Sequence, residues 1–178
     1  METPALILFD TALGRCGLVW GPAGVLAASF PHSSDDETRA HLRRRAPNAI
    51  ETKTAPPEIT SVIDDIIALF DGDQRDLSQT DLDMTGIPEF ERTVYGLTLA
   101  IGPGETKTYG DLARAMGDVS LSRRVGQALG RNPIPIIVPC HRVVGANGAM
   151  TGFSAPGGAE AKRRLLKIEG ALEPELFD

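Results

Sequence analysis

Only two cysteines, Cys16 and Cys140, occur among the 178 residues. Thiols so far apart, with no secretion signal ahead of them, are expected to be reduced rather than bridged. Histidine, with three, is nearly as scarce, and Cys16, His32 and His41 show none of the ligand spacing of a zinc site, so no metal is expected. No apolar run approaches the ~20 residues that span a bilayer, which leaves no membrane partner to expect. Met1-Glu2-Thr3-Pro4 lacks the basic start and apolar core of a signal peptide. Internal repeats and low-complexity tracts are missing too. These absences point to a soluble, cytoplasmic protein. Against them, 42% hydrophobic and 24% charged residues are enough for a packed core, and the length suits one large domain or two small ones.

The charge is unevenly spread. Residues 1–87 hold 7 Lys/Arg against 14 Asp/Glu, whereas residues 88–170 hold 11 against 7. A basic second half thus sits inside a chain of net charge −6, and for nucleic-acid binding the distribution matters more than the total.

Residues 5–10, 16–20 and 24–30 read as strands, the last two joined by Gly21-Pro22-Ala23-Gly24, which suggests a small antiparallel meander. A polar helix is expected over 35–45, with Arg43-Arg44-Arg45 on an exposed face. Pro56-Pro57 opens an amphipathic helix with Ile59, Val62, Ile63, Ile66, Ile67 and Phe70 on one side. Residues 71–87 are acidic and aperiodic and read as an inter-domain linker. Pro88 starts a second unit, with Phe90, Val94, Leu97 and Ile101 as its first stripe, stopped by Gly102-Pro103-Gly104. Tyr109–Met116 and Ser122–Arg131 form a helix-turn-helix candidate, with Ser122 a plausible N-cap and Asn132-Pro133 the end. The apolar run 134–138, interrupted by Pro135, leads to Pro139-Cys140. Asn147-Gly148 marks a tight turn, and a last helix runs from about Gly158 to Glu169 with Leu165 and Leu166 inward and Gly170 past its end.

The chemistry concentrates in Pro139-Cys140-His141-Arg142-Val143. A thiolate is a strong nucleophile, and a nearby base or positive charge makes more of it. Neighbours in an extended strand face opposite ways, so Cys140 and His141 can cooperate only across a turn or through a water. The pair alone fits a buried structural cysteine better than a reactive one.

The wider string settles on one resemblance. Pro-Cys-His-Arg-Val, preceded by Gly-Arg-Asn-Pro-Ile-Pro and followed by Thr-Gly-Phe-Ser-Ala-Pro-Gly-Gly, resembles the O6-alkylguanine-DNA alkyltransferase (methylated-DNA–protein-cysteine methyltransferase) family. The likeness is strong over 88–170 and follows only the general layout over 1–87. It implies an α/β (α+β) protein with a small N-terminal antiparallel-sheet domain carrying helices (1–87, with 71–87 as linker). A mostly α-helical C-terminal domain (88–178) would contain the helix-turn-helix. It implies irreversible, single-turnover transfer of the alkyl group from O6-alkylguanine, and from O4-alkylthymine, in double-stranded DNA onto Cys140. The damaged DNA is itself the donor, so no cofactor is implied; a monomer is.

The resemblance also assigns roles. Cys140 is the acceptor, His141 a water-mediated base and Glu169 the group that orients His141, the logic of a nucleophile–base–orienter triad. A carboxylate at a helix C-terminus faces the unfavourable end of the dipole, which fits a partner elsewhere. Tyr109 protonates guanine N3 as the base leaves, and Asn132 braces the helix-turn-helix against the cysteine turn. Val143 and Ser154 meet the guanine edge, and Phe153 and Pro135 wall the pocket. The lesion must be flipped out of the duplex, at a cost of a few kcal/mol, with Arg123 filling the vacated stack. Ser122, Arg124, Gly126 and Arg131 lie along the helix that meets the minor groove, where small residues such as Gly126 are required. Arg124 departs from better-known members, which carry a small residue there, and Phe153 from some members, which have tyrosine. Three other readings are separable: a lesion-binding alkyltransferase-like protein would lack Cys140, an adaptive-response regulator would carry a cysteine-rich module, and a Cys-His hydrolase would turn over an ester or amide.

Overall fold

Three strands open the chain: β1 (Ala5–Thr11), β2 (Gly14–Gly21) and β3 (Gly24–Ser29). In this computed structural model, residues 2–150 and 155–172 are described. β1 and β2 pair antiparallel through a tight turn closed by Gly14, whose φ of +118° suits a residue without a Cβ. Pro22-Ala23 joins β2 to β3. A two-residue strand β4 (Ile50–Glu51) adds to β1 in parallel, giving the order β3-β2-β1-β4. The sheet is therefore mixed at one edge rather than a pure meander; β4 is too short to carry a readable alternation.

Leu6, Leu8, Val19 and Ala27 on the sheet pack with Leu42, Ala46 and Ala49 to form a core. Leu42 comes from α1 (Asp35–Arg43), which is capped by Ser34 accepting from the Glu37 N–H. Helix α2 (Pro57–Phe70) buries Ile59, Ile63, Ile66, Leu69 and Phe70. Leu69 takes a place that the expected stripe gave to the half-buried Val62 and Ile67. Phe70 stacks on Phe30, ring centroids 6.2 Å apart.

The segment read as a linker is tied down along part of its length. Leu77 is buried. The Val25 N–H donates to Asp81 O and the Asp83 N–H to Val25 O, both at 2.9 Å. Arg45 donates to the carbonyls of Asp83 and Thr85, and Arg43 to that of Ala49, so two of the three consecutive arginines hold backbone together.

Two compact units result, Met1–Gly86 with Pro133–Ile137, and Ile87–Asn132 with Val138–Asp178. This differs from a single boundary at 87/88, because the Ala28 N–H donates to Pro133 O and draws that stretch to the edge strand.

The second unit begins with α3 (Glu89–Leu99), followed by β5 (Lys107–Thr108), α4 (Tyr109–Ala115), α5 (Ser122–Gly130), β6 (Val143–Val144) and α6 (Gly158–Ile168). Val94, Tyr95 and Thr98 are the buried positions of α3, while Phe90 and Leu97 are half-buried. The Tyr95 hydroxyl donates to Ala128 O at 2.6 Å, joining α3 to α5. Helix α4 starts with a capping box in which Thr108 and Asp111 satisfy each other's backbone N–H groups. Ser122 does not cap α5. A 3-10 turn, Val119–Leu121, runs directly into that helix, so the chain is already helical at Leu121; the capping moves back to Asp118, which accepts from the Ser120 N–H. Asn147 and Gly148 both have positive φ, as their tight turn requires. At the end of α6, Ala171 N–H donates to Leu166 O and Gly170 N–H to Lys167 O, a Schellman closure with Gly170 left-handed.

Candidate active site

The reactive segment is a pair of tight turns. Pro139 sits at φ −82°, ψ 67°, and the Cys140 N–H donates to Val138 O at 2.8 Å across it. This is an inverse γ-turn, which proline's fixed φ favours. A 3-10 turn over Cys140–Arg142 follows, and the chain then becomes β6, parallel to β5. The turn removes the strand alternation that would have sent Cys140 and His141 to opposite faces.

His141 is fully buried. Its Nε2 lies 2.7 Å from Glu169 Oε1. Glu169 also accepts two bonds from Arg142, Nε to Oε2 at 2.9 Å and Nη2 to Oε1 at 3.0 Å, and Arg142 Nη1 donates to Ile101 O at 2.6 Å. Burial pushes the Glu169 carboxyl up, but His141 and Arg142 outweigh it and hold the group down at about 2. The carboxylate at the unfavourable end of α6 is thus offset by two partners from the cysteine turn. His141 Nδ1 is buried and has no hydrogen-bond partner among the described residues.

Cys140 is half-buried. Its thiol is pushed up by burial, against the opposing pull of the Asn132 side chain, the Lys162 charge and the backbone N–H groups of Cys140 and His141. Asn132, just past α5, also donates from Nδ2 to Val138 O at 2.9 Å, so one amide ties the end of α5 to the turn that carries the sulfur.

Lys162 was not among the residues singled out from sequence. Only 1% of it is exposed. Its Nζ donates to Val143 O and lies 3.5 Å from the Tyr109 hydroxyl. Desolvation pulls the ammonium down to about 8, and the nearby Cys140 acts the other way. Lys162 precedes Leu165, Leu166 and Glu169 by three, four and seven residues, so it stands on the inward stripe of α6. A cation on an apolar helical face was the available signal.

Tyr109 is half-buried at the start of α4, and a Cβ on Gly126 would meet its ring at 3.8 Å. Arg123 and Arg124 are exposed on α5. The Arg124 guanidinium lies over the Phe90 ring, 3.9 Å from its centroid, and Arg131 pairs with Glu91 at 2.9 Å. The Ser122 hydroxyl donates to Val119 O. Val143 is buried beside the cysteine turn. Pro135 is buried in the stretch that groups with the first unit, and Phe153 and Ser154 lie outside the described residues.

Residues 89–171 match the family described as 6-O-methylguanine DNA methyltransferase, DNA binding domain. A methylated-DNA–protein-cysteine methyltransferase of Mycobacterium bovis is 40% identical over 126 residues, covering 69% of this chain and 74% of that protein. The chain belongs to the methylated-DNA–protein-cysteine methyltransferase family. A relative of the same name from Methanosarcina acetivorans is 51% identical over 83 residues, which is 47% of this chain and 52% of that protein. The crystal structure of Mycobacterium tuberculosis OGT in complex with DNA superposes with a TM-score of 0.77 at 31% identity, covering 98% of this chain and 99% of that one. The α/β architecture of this methyltransferase family therefore extends over the sheet-bearing first unit as well as the helical second. No described helix is long and apolar enough to cross a membrane.

Proposed function

We propose that this protein repairs DNA by moving the alkyl group of O6-alkylguanine onto the sulfur of Cys140, once per molecule. The observation that carries this reading is the half-buried Cys140 on the same tight turn as a buried His141–Glu169 pair. The Cys140 thiol gives its proton through a bridging water to His141 Nδ1, a buried nitrogen that calls for such a partner. The sulfur attacks the alkyl carbon, the S–C bond forms, and the C–O6 bond breaks with its electron pair passing to the base. Tyr109 delivers a proton to guanine N3, and the Lys162 ammonium 3.5 Å from its hydroxyl offsets the charge left behind. The products are a thioether and an ordinary guanine. No group in the described site can regenerate the thiol.

The chain from α4 to α5 serves as the helix-turn-helix, with Ser122, Arg123, Arg124, Gly126 and Arg131 facing duplex DNA. The segment near residue 87 divides an acidic scaffold from the DNA-reading part. The protein works as a monomer in the cytoplasm, where thiols stay reduced. Titrating it into duplex carrying O6-methylguanine should restore one guanine per protein and then stop; continued release of guanine beyond that ratio would rule out self-alkylation.

Two substitutions test the DNA face. Arg123→Ala should slow repair of duplex by weakening base flipping while leaving reaction with a free O6-alkylguanine base unchanged. An unaltered rate on duplex would remove that role. Gly126→Ala adds a methyl in ordinary contact with Tyr109, so the fold should hold and even gain about 0.5–1 kcal/mol from the better helix former. Affinity for duplex should nevertheless fall, because the groove-facing surface is no longer flat. Equal affinity by fluorescence anisotropy would show that α5 does not approach a groove at that residue.

A further inference from the structure

Helix α5 carries distinct strips around its axis. Val125, Ala128 and Leu129 are buried and face the core. At about 100° per residue, the strip opposite them is centred on the exposed Arg123 and Gln127. Gly126 lies on one flank of that strip, where a Cβ would meet the Tyr109 ring of α4 at 3.8 Å. Arg124 and Arg131, about two turns apart, lie on the other flank, and both meet the first turn of α3. The two arginines are held differently. Arg131 pairs with the Glu91 carboxylate at 2.9 Å, so its charge is matched within the protein. Glu91 is held below the ordinary carboxylate range, chiefly by Arg131 and less by the Arg124 charge. The Arg124 guanidinium instead lies over the Phe90 ring, 3.9 Å from its centroid. Among the described residues no carboxylate forms a salt bridge with it. A ring covers one face of a guanidinium, cancels none of its charge and leaves the N–H edge open.

We infer that Phe90 is a positioning residue for DNA binding: it lays the Arg124 side chain on the α3 flank of α5 and presents the guanidinium edge to a backbone phosphate. This rests on the proposed docking of α5 on duplex DNA. A groove is walled by two phosphate strands, so a side chain led away from the middle of the groove-facing strip meets the sugar-phosphate chain rather than base edges. A planar fork of donors suits phosphate oxygens, and one already stacked loses less freedom on binding than an unsupported arginine. Drawn toward α3, the bulk of Arg124 stays out of the space between Arg123 and Gly126, so a long side chain in the first turn of α5 does not hold the helix off the groove. Arg124 then fixes the register of the helix on the backbone without reading sequence. Arg131, matched by Glu91, adds little net charge to the same flank.

The test is fluorescence anisotropy of the full chain on undamaged duplex at a series of salt concentrations, a readout that needs no alkyl transfer. Arg124→Ala should weaken binding several-fold and lower the slope of log affinity against log salt by about 0.9, the mark of one lost phosphate contact. An unchanged slope overturns the proposal. Phe90→Leu keeps apolar bulk but removes the ring, and should weaken binding about two- to fivefold. In the Arg124→Ala background the same change should alter affinity by less than about 1.5-fold, because the group that Phe90 positions is gone. Phe90→Trp keeps a ring beneath the guanidinium and should bind as the unsubstituted protein does. A Phe90→Leu loss of equal size with and without Arg124 would make the ring a packing residue and overturn its positioning role. If Phe90→Leu does not fold, the Arg124→Ala slope and the affinity of Phe90→Trp decide. Gly126→Ala tells this proposal from the docking beneath it. If Gly126→Ala weakens binding while Arg124→Ala leaves the slope unchanged, α5 faces the duplex and only the Phe90–Arg124 assignment falls. If neither variant alters binding, the docking of α5 falls with it.

Discussion

Glu169→Ala is expected to lower the unfolding free energy by about 3–5 kcal/mol and to cut methyl transfer by roughly a hundredfold or more. Both effects come from one carboxylate. It accepts from His141 and twice from Arg142 in a site where all three side chains are buried, so its removal strands a guanidinium away from water and frees the imidazole to turn. The pH dependence has a definite sign. Glu169 is held near 2 in the fold against an ordinary 4.5, so its contribution is complete above about 4.5 and is lost as pH falls toward 2. That contribution is on the order of 3 kcal/mol. Urea denaturation between about pH 7 and pH 3 should therefore show the unsubstituted protein losing stability faster than the variant. Parallel curves would mean that the carboxylate does not hold the network described.

Lys162→Met is expected to raise the pH at which iodoacetamide captures Cys140, because a buried positive charge that favours the thiolate is gone. Transfer to DNA should fall further than thiol capture does, since Tyr109 also loses the ammonium beside its hydroxyl. The charge is costly to keep. Lys162 is brought down to about 8 from an ordinary 10.5, so the unfolded chain binds the extra proton between those values and stability rises with pH across that window. Below about 8 the burial costs on the order of 3 kcal/mol. A methionine removes this dependence, and its stability curve should be flatter from about pH 8 to 10.5. If thiol capture is unmoved, Lys162 serves packing alone.

The sequence was most legible where local chemistry decides structure. The three long strands follow from apolar runs cut by glycine-bearing turns, and α2 from Pro57 and the spacing of its isoleucines. What escaped were features fixed by distant partners. Strand β4 has two residues and exists because the Ile50 N–H finds Pro4 O. Leu77, a lone apolar residue in an acidic stretch, gave no periodicity, although it is buried. Within the site, Cys140 and His141 stood out as a dipeptide, and Glu169 gained a role only through the family resemblance. Arg142 lay in the same motif unread, because a basic side chain next to a histidine says nothing of where its fork closes. Lys162 was hidden by the default that lysines are solvated, though its place on the inward stripe of α6 argued otherwise.

Covalent capture of the alkyl group by Cys140 is the central claim. It is tested most directly by mixing the protein with duplex containing a single O6-methylguanine and mapping peptide masses. One added methyl equivalent on the Cys140 peptide, with guanine restored in the DNA, is the expected result. Tight binding of the lesion with the Cys140 peptide unchanged would contradict the account and make the protein a sensor of damage whose cysteine is silent.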